Sequence, residues 1–143
     1  MENEMIFILL ADDDADDRLF FKEAMEEINS DTVVSFVNDG SQLMYFLNQP
    51  GIRLPDILFL DLNMPVKSGM DCLKEIRDND RFKDLLIVVY STSGSDHDVQ
   101  QAFAHGANVY IKKPNNFVDL KASLAKVINR SAQSVMLDKI NVW

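Results

Sequence analysis

Short, nearly continuous apolar runs alternate five times along the chain with stretches whose apolar positions recur every three or four residues. Met5–Ala11 (MIFILLA), Asp56–Leu60 (DILFL), Leu86–Tyr90 (LIVVY) and Val109–Ile111 read as strands, because short runs lacking polar alternation belong in a sheet buried on both faces. Thr32–Val37 joins them through its β-branched content. Between these runs, Asp16–Asn29, Ser41–Asn48, Gly69–Asp78, Ser95–His105 and Asn115–Asn129 read as helices. Phe21, Ala24, Met25 and Ile28 fall on one face of the first, and Leu120, Leu124, Val127 and Ile128 are apolar in the last. Pro50-Gly51 and Gly106 end the second and fourth helices. The order βαβαβαβαβα predicts a doubly wound parallel sheet with helices on both faces. In such sheets ligands bind outside the carboxyl ends of the strands, at the switch point.

Gln49–Pro55 reads as an enlarged loop. The tail, residues 131–143, has no place among the five units, although Val135, Met136, Ile140, Val142 and Trp143 are apolar. Its terminal Trp suits docking on the domain or a second subunit as well as a frayed end. Residues 1–130 thus form the expected domain, and 131–143 a tail of unassigned role.

Composition narrows the class. With 143 residues, 47% hydrophobic and 26% charged, the chain has one globular domain's worth of material. Cys72 is the only cysteine, so no internal disulfide forms, and a small buried hydrophobe is the expected role. Glu2 and Glu4 stand where a signal peptide carries bases, and Met5–Ala11 is too short to span a bilayer. A cytoplasmic location without membrane association is the expectation. The net charge of −9 sits within residues 1–31, where eleven acids meet only Arg18 and Lys22. Without a basic stripe, nucleic acid is disfavoured as a partner. Asp12, Asp13, Asp14, Asp16 and Asp17 instead suggest a metal or a cationic partner, while Glu23, Glu26 and Glu27 read as a solvated helix face.

Polar residues collect where the strands end. The first strand runs into Asp12-Asp13-Asp14, the third into Asp61-Leu62-Asn63-Met64-Pro65, the fourth into Ser91-Thr92-Ser93 and the fifth into Lys112-Lys113-Pro114. The fold brings these to one rim. Clustered carboxylates repel, and one holds a proton unless a cation intervenes. Oxygen ligands alone favour Mg²⁺ or Ca²⁺. A carboxylate beside Mg²⁺ is able to attack phosphorus, with an ammonium and a hydroxyl meeting the other phosphoryl oxygens.

Four short motifs in order, with 30 residues from Asp61 to Ser91 and 52 from Asp61 to Lys113, make the chain resemble the CheY-like receiver domains of two-component response regulators over residues 5–130. The resemblance implies a flavodoxin-like five-stranded sheet of order 2-1-3-4-5. It implies that Asp61 accepts a phosphoryl group. Asp13 binds Mg²⁺ directly, Asp12 assists through water, and the Asn63 backbone carbonyl is a third protein ligand. Lys113 pairs with the phosphoryl group, and its bond to Pro114 is expected cis. Ser91 and Tyr110 are the switch residues, and the fourth helix, fifth strand and fifth helix form the responding surface. Thr92 and Met64 are expected modulators; branched Thr92, where many members carry Ala or Gly, implies slow autodephosphorylation. The implied partners are a sensor histidine kinase or phosphotransfer protein and a downstream protein target. The long second-helix region is similar to stand-alone receivers paired with phytochrome-like kinases, which adds self-association through the responding surface as an expectation.

Blander readings stand beside these. Asp61 is able to cap a helix, although Pro65 and Gly69 point to a loop first. Lys112 reads as a surface lysine, and Ser93 or Ser95 suits a helix cap better than Ser91. A calcium loop starting at Asp12 has Asp17 where its turn glycine belongs. An aspartyl phosphohydrolase needs a second Asp two residues after Asp61, where Asn63 stands. A dinucleotide or flavin site needs a phosphate loop that an Asp-rich turn repels.

Overall fold

The structure is a computed structural model that describes residues 5–29, 31–132 and 140–141. The elements follow as β1 (Ile6–Ala11), α1 (Ala15–Ile28), β2 (Thr32–Val37), α2 (Gly40–Leu47), β3 (Ile57–Leu60), α3 (Gly69–Arg77), β4 (Leu86–Ser91), α4 (Asp96–Ala104), β5 (Val109–Lys112), α5 (Phe117–Ala132) and β6 (Ile140–Asn141). All strand pairs are parallel, in the order β2-β1-β3-β4-β5-β6. The expected 2-1-3-4-5 sheet is present, and the two-residue β6 is added outside β5, with Ile140 opposite Val109. Of the apolar tail residues, Val135, Met136, Val142 and Trp143 lie outside the described residues.

Strand parity divides the core in two. Ile8, Leu10, Phe59, Val88, Tyr90 and Ile111 pack toward α1 and α5, meeting Phe21, Met25 and Leu124. Leu9, Leu58, Leu60, Ile87, Val89 and Tyr110 pack on the opposite side, meeting Leu43, Cys72, Leu73 and Ile76. Both faces of β3 are buried, which explains why its sequence shows no alternation. Cys72 is fully buried, and burial pushes its thiol up to about 11.

Helix starts are set by short polar side chains. Asp14, Asp39, Ser68 and Ser95 cap α1, α2, α3 and α4 by accepting backbone N–H bonds. A 3-10 turn at Asp80–Phe82, absent from the sequence reading, precedes β4; Asn79 caps it and Phe82 anchors it in the core. The enlarged loop is also tied down. Arg53 donates to the Met5 carbonyl and pairs with Asp56 at 3.0 Å, while Leu54 packs against the core. No helix among the described residues is long and apolar enough to cross a membrane.

Candidate functional site

Two neighbouring strands with helices on opposite faces leave a crevice at their carboxyl ends, here between β1 and β3. Ala11 stands opposite Leu60, so the next residues, Asp12 and Asp61, come side by side. The backbone locks this register: Asp61 N–H donates to the Ala11 carbonyl at 3.0 Å, and Asp12 N–H to the Val37 carbonyl at 3.1 Å. Both carboxylates are buried, at 0% and 5% exposure, whereas Asp13 is exposed.

The loop after Asp61 is shaped around its main chain. Asn63 N–H donates to Asp61 Oδ1 at 3.1 Å. Gly69 N–H donates to the Leu62 carbonyl at 2.9 Å, and a Cβ on Gly69 would lie 1.9 Å from the Asp61 carbonyl oxygen. Only glycine permits that approach. Between them Lys67 N–H reaches the Pro65 carbonyl at 2.7 Å, and Val66 takes φ 67°, a strained value for a β-branched side chain. Met64 is buried and Val66 exposed.

A lysine just past β5 meets the carboxylates of this crevice, while Arg18 from α1 donates to the Asp12 carbonyl at 2.8 Å. Lys113 Nζ lies 2.8 Å from Asp12 Oδ2, 2.8 Å from Asp17 Oδ2 and 3.2 Å from Asp61 Oδ2, and 5.3 Å from the Tyr90 ring centre. Burial alone would lower the Lys113 pKa, but Asp12, Asp17 and Asp61 outweigh it and raise it. Asp61 moves the same way for a different reason. Desolvation raises its pKa, Lys113 and the Asn63 N–H oppose the shift, and the charge on Asp12 adds to it.

The remaining predicted residues flank this group. Ser91 ends β4 fully buried; its Oγ accepts from Ser93 N–H at 3.2 Å, and its carbonyl accepts from Lys113 N–H at 2.8 Å. Thr92 is exposed. Tyr110 is fully buried, its hydroxyl donating to the Ser93 carbonyl at 2.5 Å, while Ser93 Oγ donates to Asp98 at 2.5 Å. Burial raises the Tyr110 pKa. One expectation is corrected: the Lys113–Pro114 bond is trans, since no peptide bond among the described residues is cis. Trans is the intrinsically favoured isomer, and the chain bends at Asn115 and Asn116 before α5.

Two contacts were not foreseen. Asp14 is a helix cap, accepting from Asp16 and Asp17 N–H, which its position before an amphipathic stretch signals. Asp17, one of the acidic cluster, bonds to Lys113 across 96 residues, and no local pattern reports that partner.

The site also fits a metal. Asp12, Asp13 and Asp61 each offer a carboxylate oxygen, all within 4.8 Å of one another. Asp12 Oδ2 is buried, and among the described residues its close partner is the Lys113 ammonium at 2.8 Å, an ion pair rather than a well-formed hydrogen bond. A buried carboxylate oxygen left in that condition is costly, and an oxygen-only donor set suits a hard divalent ion.

An α/β sheet of this order, with paired acids, a third buried carboxylate and a lysine at its switch point, defines the CheY-like class of signalling domains. Residues 8–125 match the family described as the response regulator receiver domain, and the chain belongs to it. It is 34% identical over 119 residues to the response regulator Rcp1 of Synechocystis, covering 80% of each chain. Among solved structures it is similar to the phosphorylated cyanobacterial phytochrome response regulator RcpA, with a TM-score of 0.84, 28% identity and coverage of 93% of this chain and 98% of that one. It is also similar to the Mn²⁺-bound form of Rcp1, with a TM-score of 0.80, 30% identity and coverage of 92% and 97%.

Proposed function

We propose that Asp61 accepts a phosphoryl group from a histidine kinase or a phosphotransfer protein, and that the phosphorylated domain signals through a protein-contact surface. The observation that carries this reading is the buried Asp61 carboxylate, 3.2 Å from the Lys113 ammonium and grouped with the Asp12 and Asp13 carboxylates. In the step itself, an Asp61 carboxylate oxygen attacks phosphorus and forms an O–P bond. The P–N bond to the donor imidazole breaks, and the leaving nitrogen keeps the electron pair and takes up a proton. Asn63 N–H fixes one carboxylate oxygen, which presents the group in one orientation. Lys113 offers its positive charge to the phosphoryl oxygens. Asp12, Asp13, Asp61 and the Asn63 carbonyl would hold Mg²⁺, which supplies charge neutralisation on the transferring group. That Rcp1 was solved with Mn²⁺ and RcpA in a phosphorylated form supports both parts.

The output follows from what borders the acceptor. Ser91 moves toward the phosphoryl oxygen, and Tyr110 gives up its bond to the Ser93 carbonyl, which changes the face built by α4, β5 and α5. A downstream protein reads that face. Self-association through it has to accommodate β6, which borders β5. A donor finds apolar footing beside the carboxylates, where Leu19, Phe20 and Val118 are exposed around the edge contact of Phe20 with Phe117. We place the domain in the cytoplasm, acting without nucleic acid, because its charge is acidic and its single thiol is unpaired.

Intact-protein mass after incubation with acetyl phosphate tests the reading. A single phosphoryl adduct that requires Mg²⁺ and is lost in Asp61→Asn is expected. An adduct that persists in Asp61→Asn, or none with acetyl phosphate or a supplied kinase, contradicts it.

A further inference from the structure

Lys113 has three N–H bonds and three carboxylate neighbours, Asp12, Asp17 and Asp61. Asp12 and Asp61 belong to the acceptor pocket. Asp17 does not: it stands in the first turn of α1, its side chain 38% exposed, and it reaches Lys113 Nζ at 2.8 Å, closer than Asp61 at 3.2 Å. Resting on the acceptor reading above, we infer that Asp17 restrains the site, holding the Lys113 ammonium and adding negative charge where an anionic group must arrive.

Charge accounting gives the sign. Asp12, Asp17 and Asp61 pair with Lys113, Asp13 joins Asp12 and Asp61 in one carboxylate group, and the Arg18 guanidinium donates to the Asp12 carbonyl at 2.8 Å. Each carboxylate strengthens the attraction for a divalent cation and opposes the entry of a phosphoryl anion. Asp17 touches the lysine and is not among the three grouped oxygens, so it acts on the anion chiefly through Lys113. With Asp17 neutral, Lys113 keeps its place between Asp12 and Asp61 but turns a free N–H toward the phosphoryl oxygens. Removing Asp17's charge therefore has opposite effects on the two ligands: the anion binds more tightly and the cation more weakly. A variant that merely loosened the fold would weaken both. Asp16 supplies the control, since it shares the same helical turn and its N–H shares the Asp14 cap, yet its side chain makes no contact with Lys113.

The experiment measures, by calorimetry on the full chain, Mg²⁺ affinity and then beryllofluoride affinity at saturating Mg²⁺, beside the acetyl phosphate reaction rate. Asp17→Asn is expected to tighten beryllofluoride and speed the reaction by about threefold to tenfold, while Mg²⁺ binding weakens about threefold. Asp17→Ala should share these signs, and Asp16→Asn should change each by less than about twofold. Unchanged or weaker beryllofluoride binding in Asp17→Asn, with wild type reacting normally, overturns the restraint and leaves the acceptor reading intact. If wild type itself binds no beryllofluoride and forms no adduct, the acceptor reading falls and the restraint with it.

Discussion

Asp61 sits in a pocket that disfavours its own charge. Burial raises its pKa above the ordinary 3.8, so the folded chain holds that proton more tightly than the unfolded chain. A carboxylate of this kind costs stability once it ionises. The cost is absent below pH 3.8, grows as pH rises toward the raised folded-state value, and is complete above it. Asp61→Asn should therefore stabilise the metal-free protein at pH 7 by on the order of 1 kcal/mol. In thermal melts the gain should shrink as pH falls toward 4; a variant melting lower than wild type at pH 7 would contradict this account. Thr92 belongs to the same scale. Its exposed, branched side chain follows buried Ser91, and on the proposed function it hinders a water approaching the acyl phosphate. Thr92→Ala should shorten the phosphoryl lifetime severalfold in a hydrolysis time course, and an unchanged lifetime would remove Thr92 from the account.

Between elements, one side chain carries an unusual share of the polar satisfaction. Arg77, at the end of α3, donates to the carbonyls of Gly106 at 2.8 Å, Phe82 at 2.9 Å and Leu85 at 2.8 Å, and to Asn108 Oδ1 at 2.8 Å. Asn108 Oδ1 in turn accepts from Ile87 N–H at 2.9 Å. The guanidinium thus ties α3 to the entries of β4 and β5, at the end of the sheet away from the acceptor. Arg77→Met leaves several partly buried carbonyls unpaired, and urea titration should show a loss of about 2–3 kcal/mol. A loss under about 0.5 kcal/mol would mean that water replaces the clamp. None of this clamp was legible in the sequence, where nothing singles Arg77 out within the stretch Gly69–Asp78. The strands and helices were legible because burial on both faces and helical spacing leave unbroken marks: Leu58 and Phe59 face opposite cores yet are both apolar. The 3-10 turn left no such mark, since its order depends on Phe82 finding a distant core and on Asn79 capping it.

At the scale of the whole molecule, topology makes the site. Parallel order alone brings the ends of β1, β3, β4 and β5 to one rim, so the gathering of Asp12, Asp61, Ser91 and Lys113 could be read from spacing before any coordinate was known. What could not be read depends on side-chain reach across the fold: Asp17 to Lys113, and Tyr110 to the Ser93 carbonyl. The cis isomer expected of the Lys113–Pro114 bond rested on the family resemblance alone, and the bond is trans. The central claim is that the phosphoryl group resides on one named carboxylate. Borohydride reduction of the phosphorylated chain, followed by peptide mapping, tests it most directly, since an acyl phosphate is reduced to an alcohol where a phosphoserine or phosphohistidine is not. The account predicts homoserine at position 61 and at no other aspartate. Homoserine at Asp12 or Asp13, or an adduct that resists reduction, would contradict it.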